Sequence, residues 1–140
     1  MTKLTIPIEP KPQSRPRFAR RGNFTTTYED KDMKAWRNQC RLLIANHYMG
    51  QPILEGALRA KVRFYIKPPQ YIAKVKKNQQ ALIDEIIPVG KKPDVDNYEK
   101  ALYDSMSGIV FQDDGQIALH DVGKFYSLKP RIEVEVEVME

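Results

Sequence analysis

At 140 residues and 16.2 kDa the chain suits one compact domain spanning residues 1–140, large enough to bury a core without disulfide or metal staples. Its 41% hydrophobic and 29% charged residues exclude a disordered or fibrous protein, and its single cysteine, Cys40, excludes an intramolecular disulfide and a multi-cysteine zinc site. A net charge of +5 with a sequence pI near 9.3 favours a polyanionic partner such as nucleic acid.

Residues 3–8 read as a short strand, and residues 1–8 hold no apolar core of the length that a signal peptide or membrane span needs, so a cytoplasmic protein without membrane contact is expected. Lys11, Arg15, Arg17, Arg20 and Arg21 then form a basic stretch free of acidic residues, followed by Thr25, Thr26 and Thr27. It reads either as a phosphate-contacting arm or as a solvated loop, because Pro10, Pro12 and Pro16 oppose regular hydrogen bonding. From about residue 29 to 48, Met33, Trp36, Cys40, Leu43, Ile44 and His47 recur at three- and four-residue spacing and predict an amphipathic helix ended by Gly50 and Pro52. Cys40 and His47 are expected to pack on its inner face.

Residues 58–66 alternate, with Leu58, Ala60, Val62, Phe64 and Ile66 opposite Arg59, Lys61, Arg63 and Tyr65. The C-terminal stretch does the same, setting Ile132, Val134, Val136 and Val138 against Arg131, Glu133, Glu135 and Glu137. Laid side by side, two such strands would exchange cross-strand ion pairs, which makes the basic stripe structural. Between them, residues 71–86 read as a helix, 116–126 as another strand, and Lys129 with Pro130 as a turn. The order of elements predicts an α+β fold, a mixed β-sheet packed with helices.

Chemistry concentrates in Lys91-Lys92-Pro93-Asp94-Val95-Asp96-Asn97-Tyr98-Glu99-Lys100. Pro93 biases the chain before it toward extended backbone, so Asp94 and Asp96 are expected on one side of an extended segment. Their repulsion is relieved by a cation, and hard oxygen ligands suit magnesium, with manganese as the alternative. A helix should follow, with Tyr98, Leu102 and Met106 on one face and Asp96, Asn97, Lys100 and Asp104 near the other, closed by Gly108. A short return then brings up Asp113 and Asp114. Phosphodiester hydrolysis uses such carboxylates to hold metal ions, and a nearby lysine opposes charge developing in the transition state.

Each piece also has a structural reading. Asp96 with Glu99 is an acceptable capping box, Lys100 with Asp104 an ordinary i, i+4 pair, and Asp113-Asp114-Gly115 a good turn. That reading leaves Asp94 without a task. An EF-hand fails at Tyr98, Glu99 and Ser105, and the restriction-type pattern of Glu or Asp, any residue, Lys does not follow Pro93-Asp94.

Lys92-Pro93-Asp94-Val95-Asp96-Asn97, Lys100-Ala101, Asp104 and Asp113-Asp114-Gly115-Gln116-Ile117 together resemble the RusA family of Holliday-junction resolvases, common in phages and prophages. Arg15-Pro16-Arg17, Lys124 with Tyr126, and Pro130-Arg131-Ile132-Glu133 extend the likeness over most of the chain. The resemblance implies a homodimer that nicks four-way DNA junctions symmetrically in recombination and repair. It further implies magnesium ligands at Asp94, Asp96 and Asp114, with Asp113 beside them, and a catalytic lysine at Lys100. Lys11, Arg15, Arg17, Arg20, Arg21, Lys91 and Lys92 are the expected DNA contacts. The alternative class is a non-enzymatic basic DNA-binding module of phage origin, which would cut no branched DNA in magnesium.

Overall fold

The two alternating strands do lie side by side, and they form the centre of a mixed sheet. The computed structural model describes residues 1–13, 17–21, 24–28 and 31–139, with the backbone alone at 17–21 and 24–28. Strands β1 (Thr2–Ile6), β4 (Leu58–Ile66), β5 (Ile117–Tyr126) and β6 (Arg131–Val138) assemble in the order β1-β6-β4-β5. β6 runs antiparallel to both β1 and β4, whereas β5 runs parallel to β4 and forms the edge. The α+β architecture is therefore as expected.

Register explains the pairing. Val62 lies opposite Val134 and Phe64 opposite Ile132, so both apolar sets fall on one face, and Leu58, Ala60, Val62, Phe64, Ile132, Val134 and Val136 are all buried there. On the other face Arg59 lies opposite Glu137, Lys61 opposite Glu135 and Arg63 opposite Glu133. The buried face is covered by α1 (Lys31–His47), through Met33, Trp36, Cys40 and Ile44, and by α4 (Val95–Met106), through Tyr98, Ala101, Leu102 and Met106. Truncating a fully buried Leu102 or Met106 to alanine costs about 2–5 kcal/mol, so α4 is fixed by its apolar side whatever its polar side does. Cys40 is packing, its thiol pushed up to about 11 by burial. His47 departs from expectation: it is exposed at the helix end, and Tyr48 takes the inward position.

Two further expectations are corrected. The basic stretch is not irregular throughout, because β2 (Arg17–Arg21) pairs antiparallel with β3 (Phe24–Tyr28). The expected helix over 71–86 is broken into α2 (Gln70–Ala73), a 3-10 turn (Lys76–Asn78) and α3 (Gln79–Ile83). The break falls at Val75, whose backbone is extended, and the side-chain amides of Asn78 and Gln79 donate to the carbonyls of Ile72 and Ala73 that a continuing helix would have used. A small second cluster of Leu82, Val89 and Tyr126, with Ile66, Ile72 and Ile87 against it, holds this segment on the ends of β4 and β5. Among the described residues no helix is long and apolar enough to cross a membrane.

Candidate active site

Edge strand β5 lays out the approach to the acidic segment. Its outer side is paired by the chain entering that segment: Tyr126 N–H donates to Ile87 O at 3.0 Å and Val89 N–H to Lys124 O at 3.1 Å. Beyond Val89, the Lys124 ammonium donates to the carbonyls of Lys91 and Pro93, at 2.5 Å each. Asp94 follows as the N-cap of α4, with extended backbone (ψ 149°), and its carboxylate makes no capping bond. Asp96 is the second residue of the helix, so the two carboxylates do not share an extended segment as the sequence suggested. Both are exposed, and both line an open cleft with Lys91, Lys92, Val95 and Lys124. The helix N-terminus offsets part of their repulsion, since its unpaired amide groups favour negative charge.

The other end of α4 is fixed from α1. The Arg41 guanidinium donates to Ser107 O at 2.8 Å and to Asp104 O and Ser105 O at 3.3 and 3.4 Å, a cation on the carbonyls that the helix leaves unpaired. Gly108 then turns the chain at φ 83°, a conformation that side-chain-bearing residues rarely adopt.

Asp113 and Asp114 stand on a second 3-10 turn (Asp114–Gln116) whose cap is built from both ends. The Asp113 carboxylate accepts from Gly115 N–H at 3.0 Å, and Gln116 Oε1 accepts from the N–H groups of Gln112 and Asp113 at 2.9 and 3.0 Å. Gln116 Nε2 donates onward to the carbonyls of Leu54 and Gly56, both at 3.1 Å. A Cβ at 115 would meet Asp113 Oδ2 at 2.7 Å, so a side chain there would displace the capping carboxylate. The capping box stands here and not at Asp96 and Glu99, where the alternative reading put one, since Asp94 is the N-cap of α4.

Lys100 ties the turn to the helix. Its ammonium lies 3.1 Å from Asp104 Oδ1 and 3.3 Å from Asp114 Oδ2. These bonds, Asp104 first, raise the pKa of Lys100, so it remains a cation and serves as a fixed positive charge, not a proton acceptor. Glu99 points the other way. It is buried at 7% exposure, accepts from Tyr103 Oη at 2.8 Å and meets His120 Nδ1 of β5. Burial first, and then the bond to Glu99, hold the Tyr103 phenol far above its ordinary range. Sequence spacing gave no sign of the Glu99–His120 contact, since β5 had to be placed beside α4 first.

Among the described residues no three of His, Cys, Asp and Glu stand close enough together to hold a metal ion by themselves. The donor chemistry fits magnesium all the same. That ion keeps several of its waters and takes one or two carboxylates together with substrate phosphates in place of an all-protein cage, and Asp94 and Asp96 border an open cleft.

Of the expected DNA contacts, Lys92 is exposed, and Lys91 is exposed with its ammonium on Tyr71 Oη and 4.8 Å from that ring's centroid. Lys11 is half-buried. Arg15 and the side chains of Arg17, Arg20 and Arg21 lie outside the described residues. The chain leading to them touches the site, for Gln13 N–H donates to Asn97 O in the first turn of α4 at 3.0 Å.

Known proteins supply the class. Residues 7–137 match the family model described as endodeoxyribonuclease RusA, a class of enzyme that cuts within DNA strands. The chain belongs to the RusA endodeoxyribonuclease family. It is also similar to Uncharacterized protein YqaN of Bacillus subtilis (strain 168), with 31% identity over 134 residues, 96% of this chain and 94% of that protein.

Proposed function

We propose that this endodeoxyribonuclease is a magnesium-dependent resolvase of Holliday junctions, acting in recombination and repair and of prophage origin. The observation that carries the proposal is the pairing of two exposed aspartates, Asp94 and Asp96, on an open cleft with a lysine that reaches from the same helix to Asp114. Asp94, Asp96 and Asp114, together with substrate phosphates and water, would hold magnesium or manganese, with Asp113 behind Asp114 fixing the turn through Gly115. When bound, the ion polarises the phosphoryl oxygen, lowers the pKa of the attacking water and neutralises the leaving oxygen.

The chain's own part is positional and electrostatic. Lys100 presents a permanent positive charge beside the carboxylates, where it opposes charge developing on the phosphate. Arg15, Arg17, Arg20 and Arg21, with Lys11, Lys91 and Lys92, would hold phosphates flanking the cleaved bond. A homodimer supplies two such sites, as symmetric nicking of a four-way junction requires.

The test is cleavage by the purified protein of a four-way junction, a flap and a linear duplex, each with and without magnesium. Paired nicks in the junction, dependent on the cation and absent from linear duplex, are expected. Cleavage unaffected by chelator would reject the metal, equal cutting of all three substrates would reject the junction preference, and no scission of any substrate would return the protein to a DNA-binding module.

A further inference from the structure

Lys124 has no role in the catalytic scheme, yet it is the side chain most directly attached to the backbone that delivers Asp94. It stands on β5, away from α4 in sequence, and its ammonium reaches across to two main-chain carbonyls, Lys91 O and Pro93 O, both at 2.5 Å. These flank Lys92, and the second belongs to the residue immediately before Asp94. The same residue anchors the segment a second time through its own backbone, where Lys124 O accepts from Val89 N–H at 3.1 Å. Lys124 also lines the cleft that Asp94 and Asp96 border.

A hydrogen bond from a cation to a carbonyl is about twice as strong as a neutral one, and an ammonium carries three donors in a compact group. Two donors of Lys124 are spent on carbonyls, and no described carboxylate pairs with it. An ordinary surface lysine would face water or an acid. This one is turned onto the peptide groups of an exposed loop, the segment of the site with no apolar anchor of its own: Lys91, Lys92, Pro93 and Asp94 are all exposed.

We propose that Lys124 is a positioning residue that fixes the Lys91–Pro93 backbone and so sets the carboxylate of Asp94 relative to Asp96 for metal binding. The inference rests on the metal-dependent reading, and its test separates the two. Full-length wild type and Lys124→Met are titrated with manganese alone, without DNA, and amide exchange at residues 94–97 is followed without metal. Removal of a side chain that orients a ligand typically weakens metal binding about 10–100-fold, and that loss is expected in Lys124→Met. Faster exchange of the Asn97 amide, which donates to Asp94 O at 3.1 Å, should accompany it while the melting temperature stays near wild type. Lys124→Arg, which keeps charge and donors, should restore most of the affinity.

Wild-type manganese affinity in Lys124→Met, with or without a lower melting temperature, would overturn the proposal. So would unchanged exchange at residues 94–97, or a loss of DNA affinity in chelator with metal binding intact, which would make Lys124 a phosphate contact. If wild type binds no manganese, the metal reading fails, and exchange alone decides whether Lys124 holds the loop. Should Lys124→Met not fold, Lys124→Gln, which retains one donor pair, is read in its place against the same outcomes.

Discussion

The solvent face of the sheet and the polar side of α4 both carry dense charge, and they handle it in opposite ways. On the sheet, β4 presents Arg59, Lys61 and Arg63 to Glu137, Glu135 and Glu133 of β6, and Lys3 of β1 reaches Glu135 at 3.5 Å. Arg59 pairs with Glu137 at 3.7 Å, and Arg63 turns to Asp121 of β5 at 3.2 Å, so these cations answer anions on neighbouring strands. Along α4 and its flanking loops, Asp104 and Asp114 share one close cation, Lys100, while Asp94, Asp96 and Asp113 have no ion pair among the described residues. Like charges directly opposed in a sheet would cost stability, so the ladder is what folding demands. Folding makes no such demand for the carboxylates gathered along α4 and its flanking loops. The proposed chemistry draws on that difference, because exposed carboxylates without ion-pair partners suit a bound cation.

The largest effect should come from removing carboxylates of this group. Asp94→Asn and Asp114→Asn are each expected to lower junction cleavage by about 10⁴, the scale seen when one member of a catalytic unit is lost. Stability should shift by no more than about 0.5 kcal/mol for the exposed, non-capping Asp94. Cleavage rates and thermal melts on the same preparations check this, and near-wild-type cleavage by both variants would dissolve the contrast between the two regions.

Next is the cation that ties α4 to the Asp113–Asp114 turn. Lys100→Ala is expected to slow single-turnover cleavage by about 10²–10³, the effect of losing one group that stabilises transition-state charge. Its ion pairs are half exposed, at 55% for the Lys100 side chain, so their structural contribution is at most about 1 kcal/mol. A large loss of stability with little loss of rate would assign Lys100 to the fold and move it to the ladder's side of the comparison.

A third site shows how the molecule uses a charge pair purely for structure. Glu85 sits in the left-handed region at φ 59° and accepts both guanidinium bonds of Arg131, at 2.6 and 2.8 Å, with Ser127 Oγ at 2.5 Å. The Arg131 bond first, then Ser127 and nearby cations, hold its carboxyl below the ordinary glutamate range against the opposing effect of burial. A lowered folded pKa means stability that is present above the unfolded value and lost as pH falls through the folded one. Glu85→Gln should therefore cost about 1–2 kcal/mol at neutral pH, and the gap to wild type should close in acid. Denaturant melts across pH measure it. A gap that persists in acid would mean that shape, not charge, holds the clamp.

How much of this was legible beforehand follows from what range each feature depends on. Period-two alternation in β4 and β6 and the three- and four-residue stripe of α1 are local, so the strands, the helix and the charge ladder could be read directly. Asp94, Asp96, Lys100 and the Asp113–Asp114 turn were visible as a motif for the same reason. The break at Val75 was not, because the apolar positions of 71–86 also fit a helix, and the carbonyls there are taken by side chains whose reach is set by the fold. The alternative that made Glu99 a capping partner does not hold, and its burial could not be read locally because it depends on β5 lying alongside α4. Lys124 and Gln116 stood in the resembling segments without a task, which only the distances to Pro93 O and Leu54 O supply.

The smallest expected effect tests the ladder itself. Arg59 Nη1 lies 3.7 Å from Glu137 Oε2, with side-chain exposures of 54% and 47%. An exposed pair at that distance gains little over hydration and loses side-chain freedom, so its coupling should be about 0.2–1 kcal/mol. A double-mutant cycle with Arg59→Ala and Glu137→Ala isolates that coupling from the separate effects of each truncation. Repeating the cycle at about 1 M salt, where the screening length is about 3 Å, should erase most of it. Junction cleavage should remain at the wild-type rate in both single variants, because β4 and β6 answer each other's charge and need no ligand. A rate loss in Arg59→Ala that Glu137→Ala does not share would mean the basic stripe meets DNA after all, and the sheet face would then join the cleft as part of the substrate surface.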